Sequence, residues 1–308
     1  MSARFSLTVF RAGWPWLAGL LVAGLAASSC PAYELTYAKT GYQVTRGMDY
    51  AIHYELKQLI ARHEQLFQRK VPADFKLTYR IFPTREEFEK YEPDGQKVAS
   101  KSLLGYTRFR SASRLPRRGP EDVVRVEAEI VTWHHDQPAV HLSTLLHETT
   151  HAVTLAFLID VPLWMKEGSA DWFGRPAWAN GKAQQIDRAQ AWHSLKQLLD
   201  DSKLPPLRAY LEAEDYEEWN RMFHGHAETG YTLGYSLFDF FMSQPEAQTY
   251  LAGLLKAPDV ELGDKPGKVF TAQLARTWQG GLPMFERGWH NWIRRKAAAE
   301  KLPAAQEE

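Results

Sequence analysis

The segment LLHETTHAVTLAFLIDVPLWMKEGSADWF, residues 145–173, constrains the fold of this chain more than any other. Its apolar residues recur with a helical period, which predicts one helix from about Leu142 to Leu158 and a second from Leu163 to Phe173. Ionisable side chains stand inside this apolar run. A buried imidazole or carboxylate costs several kcal/mol unless it is paired, protonated or bound to a metal. The segment therefore predicts a site in which these groups satisfy one another.

Two histidines in this segment have the spacing of metal ligands. His147 and His151 are four residues apart, so on a helix they lie one turn apart on the same face. Both rings can reach one ion at the roughly 2.0–2.1 Å that zinc–nitrogen bonds require. Glu148 points away from the pair but stays close enough to take a proton from a metal-bound water. This is the logic of an H-E-x-x-H site, with the glutamate as general base.

The second helix offers a third ligand. Catalytic zinc sites usually have three protein ligands and one open position. Glu167 would lie about 24 Å from His151 along one straight helix, but the break at Asp160 and Pro162 lets the chain turn and bring it to the same ion. Asp171 falls one turn beyond Glu167 on the same face. We expect its carboxylate to accept a hydrogen bond from a ligand histidine, which fixes the orientation of the ring.

The two motifs together carry a family resemblance. HETTH, followed sixteen residues later by the glutamate of WMKEGSADWF, resembles the gluzincins, the thermolysin-like and peptidase MA-like zinc metallopeptidases. Their second motif is similar to W-x-x-E-G-x-A, matched here by Trp164, Glu167, Gly168 and Ala170. The resemblance implies a zincin-like fold, a Zn²⁺ ion held by the two histidines and this glutamate, and Glu148 as general base. Asp171 would support the ligands.

The resemblance also implies a residue that stabilises the oxyanion. The stretch GYTLGYSLFDFF, residues 230–241, is similar to a helix that brings a tyrosine over the site in these relatives, which points to Tyr231. Tyr235, His224 and His226 remain alternatives for this role.

Two departures from other zinc peptidases narrow the resemblance. No G-x-M-E-N motif precedes HETTH, so the substrate recognition of the aminopeptidase branch is not supported. Thr154 and Phe157 stand where metzincins have a glycine and a third histidine. The resemblance is therefore to exported bacterial members of the gluzincins.

Hydrophobic patterning along the chain predicts an α+β fold. Residues 31–140 form a mixed α/β part with an edge strand beside the active helix, residues 141–300 a mostly helical catalytic part, and residues 301–308 a polar tail. The pattern places strands at 41–45, 75–82, 103–109 and 121–133, and helices at 48–70 and 83–91. His134 and His135 lack ligand spacing, which favours a loop or strand-end position.

One of these strands is expected to line the cleft. Val124, Val126, Ala128 and Ile130 alternate with charged residues, which is typical of a half-buried strand. Residues 123–131 are therefore predicted to be the edge strand, pairing with an extended substrate through main-chain hydrogen bonds.

The N-terminus predicts export. Arg4 and Arg11 precede WPWLAGLLVAGLAASSC, whose apolar run is shorter than the ~20 residues of a membrane-spanning helix, so residues 1–30 are interpreted as a signal peptide. Cys30, the only cysteine, ends a stretch that is similar to a permissive bacterial lipobox, although Ala27 stands where leucine is commoner. Lipidation of Cys30, which would anchor the protein to a membrane, and ordinary cleavage beside Ala32 both stay open. We expect a periplasmic or cell-envelope location.

Charge and composition limit the partners. The chain has 37 basic and 37 acidic residues, a balance that offers no general attraction to nucleic acid or to anionic membranes. The leading interpretation is zinc-dependent hydrolysis of peptide bonds in a peptide or protein bound in extended form. The alternative is an exported binding or scaffold protein that keeps a metallopeptidase fold without turnover.

Overall fold

The computed structural model describes residues 33–68, 70–72, 74–95, 103–113, 125–157, 161–174, 182–224, 226–247, 250 and 265–300. The described chain is α+β, as predicted. Its strands are β1 (Tyr33–Tyr37), β2 (Phe75–Phe82), β3 (Gly105–Ser113) and β4 (Arg125–Trp133). Its helices are α1 (Arg46–Phe67), α2 (Arg85–Lys90), α3 (Pro138–Phe157), α4 (Leu163–Phe173), α5 (Lys182–Asp200), α6 (Leu207–Leu211), α7 (Tyr216–Met222), α8 (Ala227–Met242), α9 (Pro266–Thr277) and α10 (Gly281–Ala299). The predicted signal peptide with Cys30, the break residue Asp160 and the polar tail lie outside the described residues.

The described strands form one mixed sheet in the order β1-β2-β4-β3. Strands β1, β2 and β4 are mutually parallel, and β3 pairs antiparallel with β4 at one end of the sheet. The prediction that residues 123–131 form the edge strand is therefore wrong, because β4 lies between β2 and β3. Alternation of apolar residues reports which face of a strand is buried, but it carries no information on which strands lie to either side.

Strand β4 is also more deeply buried than the alternation suggested. Val126, Ala128 and Ile130 lie in the main core, as expected, but Val131 and Trp133 are buried on the opposite face beneath α2. On the same face as Val131 and Trp133, Glu129 is fully buried, and its carboxylate is held by arginines of the flanking strands: Arg80 at 2.7 Å, Arg108 at 3.3 Å and Arg110 at 3.0 Å. The half-buried interpretation fails because these partners satisfy a charge that alone would belong in solvent.

The segment before α1 differs from its predicted form. Residues 41–45 were expected to be a strand but contain no strand residues, and the strand of this region is β1. Thr45 instead caps α1, since its side chain accepts a hydrogen bond from the backbone N–H of Met48 at 3.2 Å. A short run of Tyr, Val and Thr has strand propensity, but a threonine before a helical pattern is also a preferred N-cap.

Helix α3 packs between the sheet and the helices that follow it, and its buried residues join those of β2, β4 and α1 in one core. Helix α4 crosses α8 at Gly168, where an added Cβ would lie 2.3 Å from the carbonyl oxygen of Gly234. Just beyond α4, an added Cβ at Gly174 would lie 3.1 Å from the backbone N and Cα of His147. Two glycines thus set how closely α4 approaches α8 and α3. No helix in the described part of the chain combines the length and apolar character that a membrane span requires.

Candidate metal centre

The helix α3 holds both predicted histidine ligands on one face. The ring centroids of His147 and His151 are 4.9 Å apart with an angle of 89° between the ring planes. The side chain of His147 is 20% exposed and that of His151 is 9% exposed, so solvent still reaches part of the pair.

The helix α4 brings Glu167 to this pair. Its Oε2 lies 3.4 Å from Nε2 of His147 and 3.6 Å from Nε2 of His151, and its side chain is 2% exposed. Among the described residues, His147, His151 and Glu167 form a group of possible metal ligands. Their ligand atoms all lie within 4.8 Å of one another.

The two distances from Oε2 of Glu167 fit a shared metal ion. Ligand atoms bound tetrahedrally at about 2.0–2.1 Å lie about 3.3–3.4 Å from one another, close to both distances from Oε2. Without an ion, a carboxylate buried against two imidazoles keeps its charge only if protons on the rings compensate it. The three residues can therefore hold a metal ion.

Asp171 lies where the spacing on α4 places it. Its Oδ1 is 2.9 Å from Nδ1 of His147 and accepts the hydrogen bond from that ring nitrogen, which leaves Nε2 directed at Glu167. Burial by itself lowers the pKa of His147, but the hydrogen bonds with Asp171 and Glu167 outweigh it and raise the pKa well above its ordinary value. The hydrogen bond at Nδ1 leaves Nε2 as the nitrogen that can bind a metal ion once it has lost its proton.

The pKa shifts of Glu167 and His151 favour the protonation states that bind a metal ion. Burial opposes ionisation of Glu167, but the nearby His151 and His147 outweigh it and lower the pKa of this carboxyl to about 2. Burial lowers the pKa of His151 to about 3, against the opposing charge of Glu167. At neutral pH, Glu167 is therefore an anion and His151 a neutral imidazole, which are the forms that bind cations.

Glu148 points from α3 towards the edge strand β3. The hydroxyl of Thr107 lies 2.9 Å from Oε2 of Glu148 and 2.6 Å from its backbone carbonyl oxygen, and shares its proton between them. An added Cβ at Gly105 would lie 3.3 Å from Cγ of the same side chain, so the strand passes directly over it. Burial raises the pKa of Glu148, and the hydrogen bond from Thr107 acts in the opposite direction.

Tyr216 is a site residue that the sequence did not reveal. The phenol, on the first residue of α7, donates a hydrogen bond of 2.7 Å to Oε1 of Glu167. No motif surrounds it, and only the folding of α7 over α4 brings it there. The sequence offers only a weak signal for Tyr216, which is its position directly after the helix-capping residue Asp215. Asp215 accepts a hydrogen bond from the backbone N–H of Glu218.

The predicted candidates for the oxyanion role have different surroundings. Tyr231 stacks on Tyr216 with ring centroids 6.2 Å apart, and burial, then the charges of Glu167 and Asp171, raise its pKa. Tyr235 is buried with its ring against Trp192, His226 is exposed beside Glu228, and His224 is exposed.

His134 and His135 lie between β4 and α3, as expected for a strand-end position. Their rings contact that of His141, with centroids 5.5 Å and 6.0 Å away, and they are not members of the ligand group.

No protein-family model and no curated protein matches this sequence. The family resemblance therefore depends on HETTH and the E-G motif.

Proposed function

We propose that this protein is an exported zinc metallopeptidase of the gluzincin type with a zincin-like fold. One observation carries the proposal: ligand atoms of His147, His151 and Glu167 converge within 4.8 Å, and Glu148 follows the first histidine on the same helix. Two imidazoles and one carboxylate are a ligand set of catalytic zinc sites, in which a fourth position stays open. The antiparallel strand β3 beside α3 supports the zincin-like assignment.

A bound zinc ion would act as a Lewis acid towards a carbonyl group and lower the pKa of a coordinated water towards 7. Glu148 accepts a proton from the attacking water and passes it to the leaving amine. Because burial raises the pKa of Glu148, its carboxylate is a stronger base than an exposed glutamate. Thr107 keeps this carboxylate oriented through the hydrogen bond to Oε2.

Tyr231 is assigned to stabilise the oxyanion. Its raised pKa keeps the phenol protonated at neutral pH, so it can donate a hydrogen bond to negative charge that develops on the substrate. Its contact with Tyr216, which is itself bonded to Glu167, supports a location beside the metal ligands.

The substrate proposed for this site is a peptide or protein in extended form. Strand β3 is the last strand at one side of the described sheet, and its Thr107 donates a hydrogen bond to Glu148. An extended chain added to β3 would gain main-chain hydrogen bonds and pass over the general base. This assigns to β3 the role that the sequence pattern assigned to residues 123–131.

The first test is metal content. Elemental analysis of the purified protein should give about one zinc per chain, and the H147A/H151A double variant should lose it. Stoichiometric zinc retained by the double variant would contradict the ligand assignment.

The second test is activity against a broad peptide library. The wild-type protein should cleave it, and E148Q should keep its zinc but lose about 10²–10⁴-fold in rate, because an amide cannot take the proton. Wild-type protein that binds zinc and cleaves no peptide would favour the alternative, an exported binding or scaffold protein without turnover. Turnover by E148Q at the wild-type rate would reject Glu148 as the base.

Localisation remains a proposal from the sequence. Residues 1–30 would direct export to the periplasm or cell envelope, with Cys30 as the residue that lipidation would modify. Mass spectrometry of the mature N-terminus decides between a lipidated Cys30 and an unmodified cleavage product.

A further inference from the structure

The carboxylate of Glu167 has its two oxygens in different surroundings. Oε2 faces Nε2 of His147 and His151 at 3.4 Å and 3.6 Å. Oε1 accepts the hydrogen bond from the hydroxyl of Tyr216 at 2.7 Å, on the other side of the group. One oxygen is directed at the ligand histidines, and the other is occupied by a phenol.

A rigid aromatic group holds Tyr216 in this place. Its ring meets Trp219 edge to face, with centroids 6.1 Å apart and an interplanar angle of 89°, and it stacks on Tyr231 at 17°. Trp219 is fully buried and fits only because Gly230 has no side chain, since an added Cβ there would lie 2.5 Å from the indole. These ring contacts with α7 and α8 restrict the phenol, although Tyr216 is 40% exposed.

Without this hydrogen bond, Glu167 has a competing partner. Nζ of Lys166 lies 4.0 Å from Oε1 and 5.8 Å from the ring centroid of Tyr216. If the phenol were absent, the carboxylate could rotate towards the ammonium or offer both oxygens to the metal. Either change would disturb a ligand that must present one oxygen at a defined place.

We propose that Tyr216 is a positioning residue that fixes Glu167 as a one-oxygen ligand of the metal ion. The inference rests on the metal site of the proposed function. A one-oxygen carboxylate uses one coordination position, so with two imidazoles it leaves the fourth position for water. Hydrogen-bond partners of this kind orient metal ligands, and their loss typically costs about 10–100-fold in metal affinity or activity. Tyr216 acts through Glu167 rather than on the substrate.

The experiment compares Y216F with Y37F. Each variant removes a phenol hydroxyl that donates a hydrogen bond to a carboxylate, Tyr216 to Glu167 at 2.7 Å and Tyr37 to Asp49 at 2.8 Å, but Asp49 is not a member of the ligand group. Zinc affinity is measured by competition with a chelator, and the visible absorption of the cobalt-substituted protein reports the coordination geometry. Thermal unfolding of the metal-free proteins measures any general loss of stability.

We expect Y216F to bind zinc about 10–100-fold more weakly than the wild type and to show an altered cobalt spectrum, with metal-free unfolding close to that of Y37F. We expect Y37F to keep the wild-type affinity and spectrum. Wild-type affinity and spectrum in Y216F would overturn the inference and leave the metal site intact. Failure of Y216F to fold, or equal losses of affinity in both variants, would show a merely structural role and also overturn it. A wild-type protein that binds no metal would remove the proposed function and this inference together.

Discussion

At the scale of single residues, the candidate site contains side chains that orient the possible metal ligands and the proposed general base. Asp171 holds Nδ1 of His147 at 2.9 Å, so the imidazole can present only Nε2 to an ion. Sequence spacing led to this partner, because residues four apart on a helix share a face. The hydrogen bond between Asp171 and His147 can be tested by its effect on zinc affinity.

We expect D171N to bind zinc about 10–100-fold more weakly while keeping its fold, a milder defect than in E167A. The amide can still accept a hydrogen bond but does not carry the charge that raises the pKa of His147. Chelator competition measures the affinity, and D200N on the exposed surface of α5 is the control. Equal affinities in D171N and D200N would show that Asp171 has no part in metal binding.

Thr107 offers a second test at the same scale. We expect T107V to raise the pKa of Glu148 further, because the hydrogen bond from this hydroxyl stabilises the carboxylate and its loss favours the protonated form. If Glu148 is the general base, the acidic limb of the pH–rate profile should shift to higher pH, with zinc content unchanged. T78V, which removes an exposed hydroxyl on β2, is the control. A profile that coincides with that of the wild type would mean that Thr107 does not act on the base.

At the scale of elements, the closest approach in the site region is the crossing of α4 and α8. An added Cβ at Gly168 would lie 2.3 Å from backbone atoms of Gly234, which cannot move aside like the end of a flexible side chain. Because Glu167 precedes this glycine, a displaced α4 would also move a candidate metal ligand.

We therefore expect G168A to destabilise the protein by roughly 1–3 kcal/mol and to weaken metal binding, since overpacking forces helices apart. Chemical denaturation and chelator competition measure the two effects. The matched control is G47A in the first turn of α1, where an added Cβ meets no atom within 4 Å. If the two variants were equally stable, α4 and α8 would not be in the close contact described.

At the scale of the whole molecule, buried histidines couple stability to pH. His63 lies in the core between α1 and α3, where Nδ1 is 2.9 Å from the carbonyl oxygen of Leu59 and Nε2 is 3.2 Å from the hydroxyl of Thr154. Burial lowers its pKa from 6.5 to about 4, and burial lowers the pKa of His141 to about 4 as well.

We expect the free energy of unfolding to fall as the pH is lowered from about 6.5 to about 4. Over this range the unfolded chain binds protons at both histidines while the folded state does not, so the stability present above pH 6.5 is progressively lost. A lowering of this size corresponds to roughly 3 kcal/mol for His63 at most. Denaturation of H63N over the pH series should give a shallower dependence than the wild type, with the exposed H226N as control. Identical slopes in all three proteins would refute the assignment.

Much of the site could be read from local periodicity. The pairs His147–His151 and Glu167–Asp171 are each four residues apart, and 3.6 residues per turn place such pairs on one face whatever the rest of the chain does. Helix α4 has its predicted bounds, Leu163–Phe173, and strand β2 has its predicted bounds, Phe75–Phe82, since their apolar patterns are strong.

The order of the strands, the crossing at Gly168 and the hydrogen bonds from Thr107 and Tyr216 come only from the tertiary structure. Thr107 lies 41 residues from Glu148 along the chain, and Tyr216 lies 49 residues from Glu167. A periodic pattern states which face of an element is buried, but not which distant element covers it. That choice depends on close packing and on satisfying buried charge, as for Glu129 beneath its arginines. The sequence by itself therefore determined which residues form the candidate metal centre, and the packing of distant elements decided which side chains hold them in place.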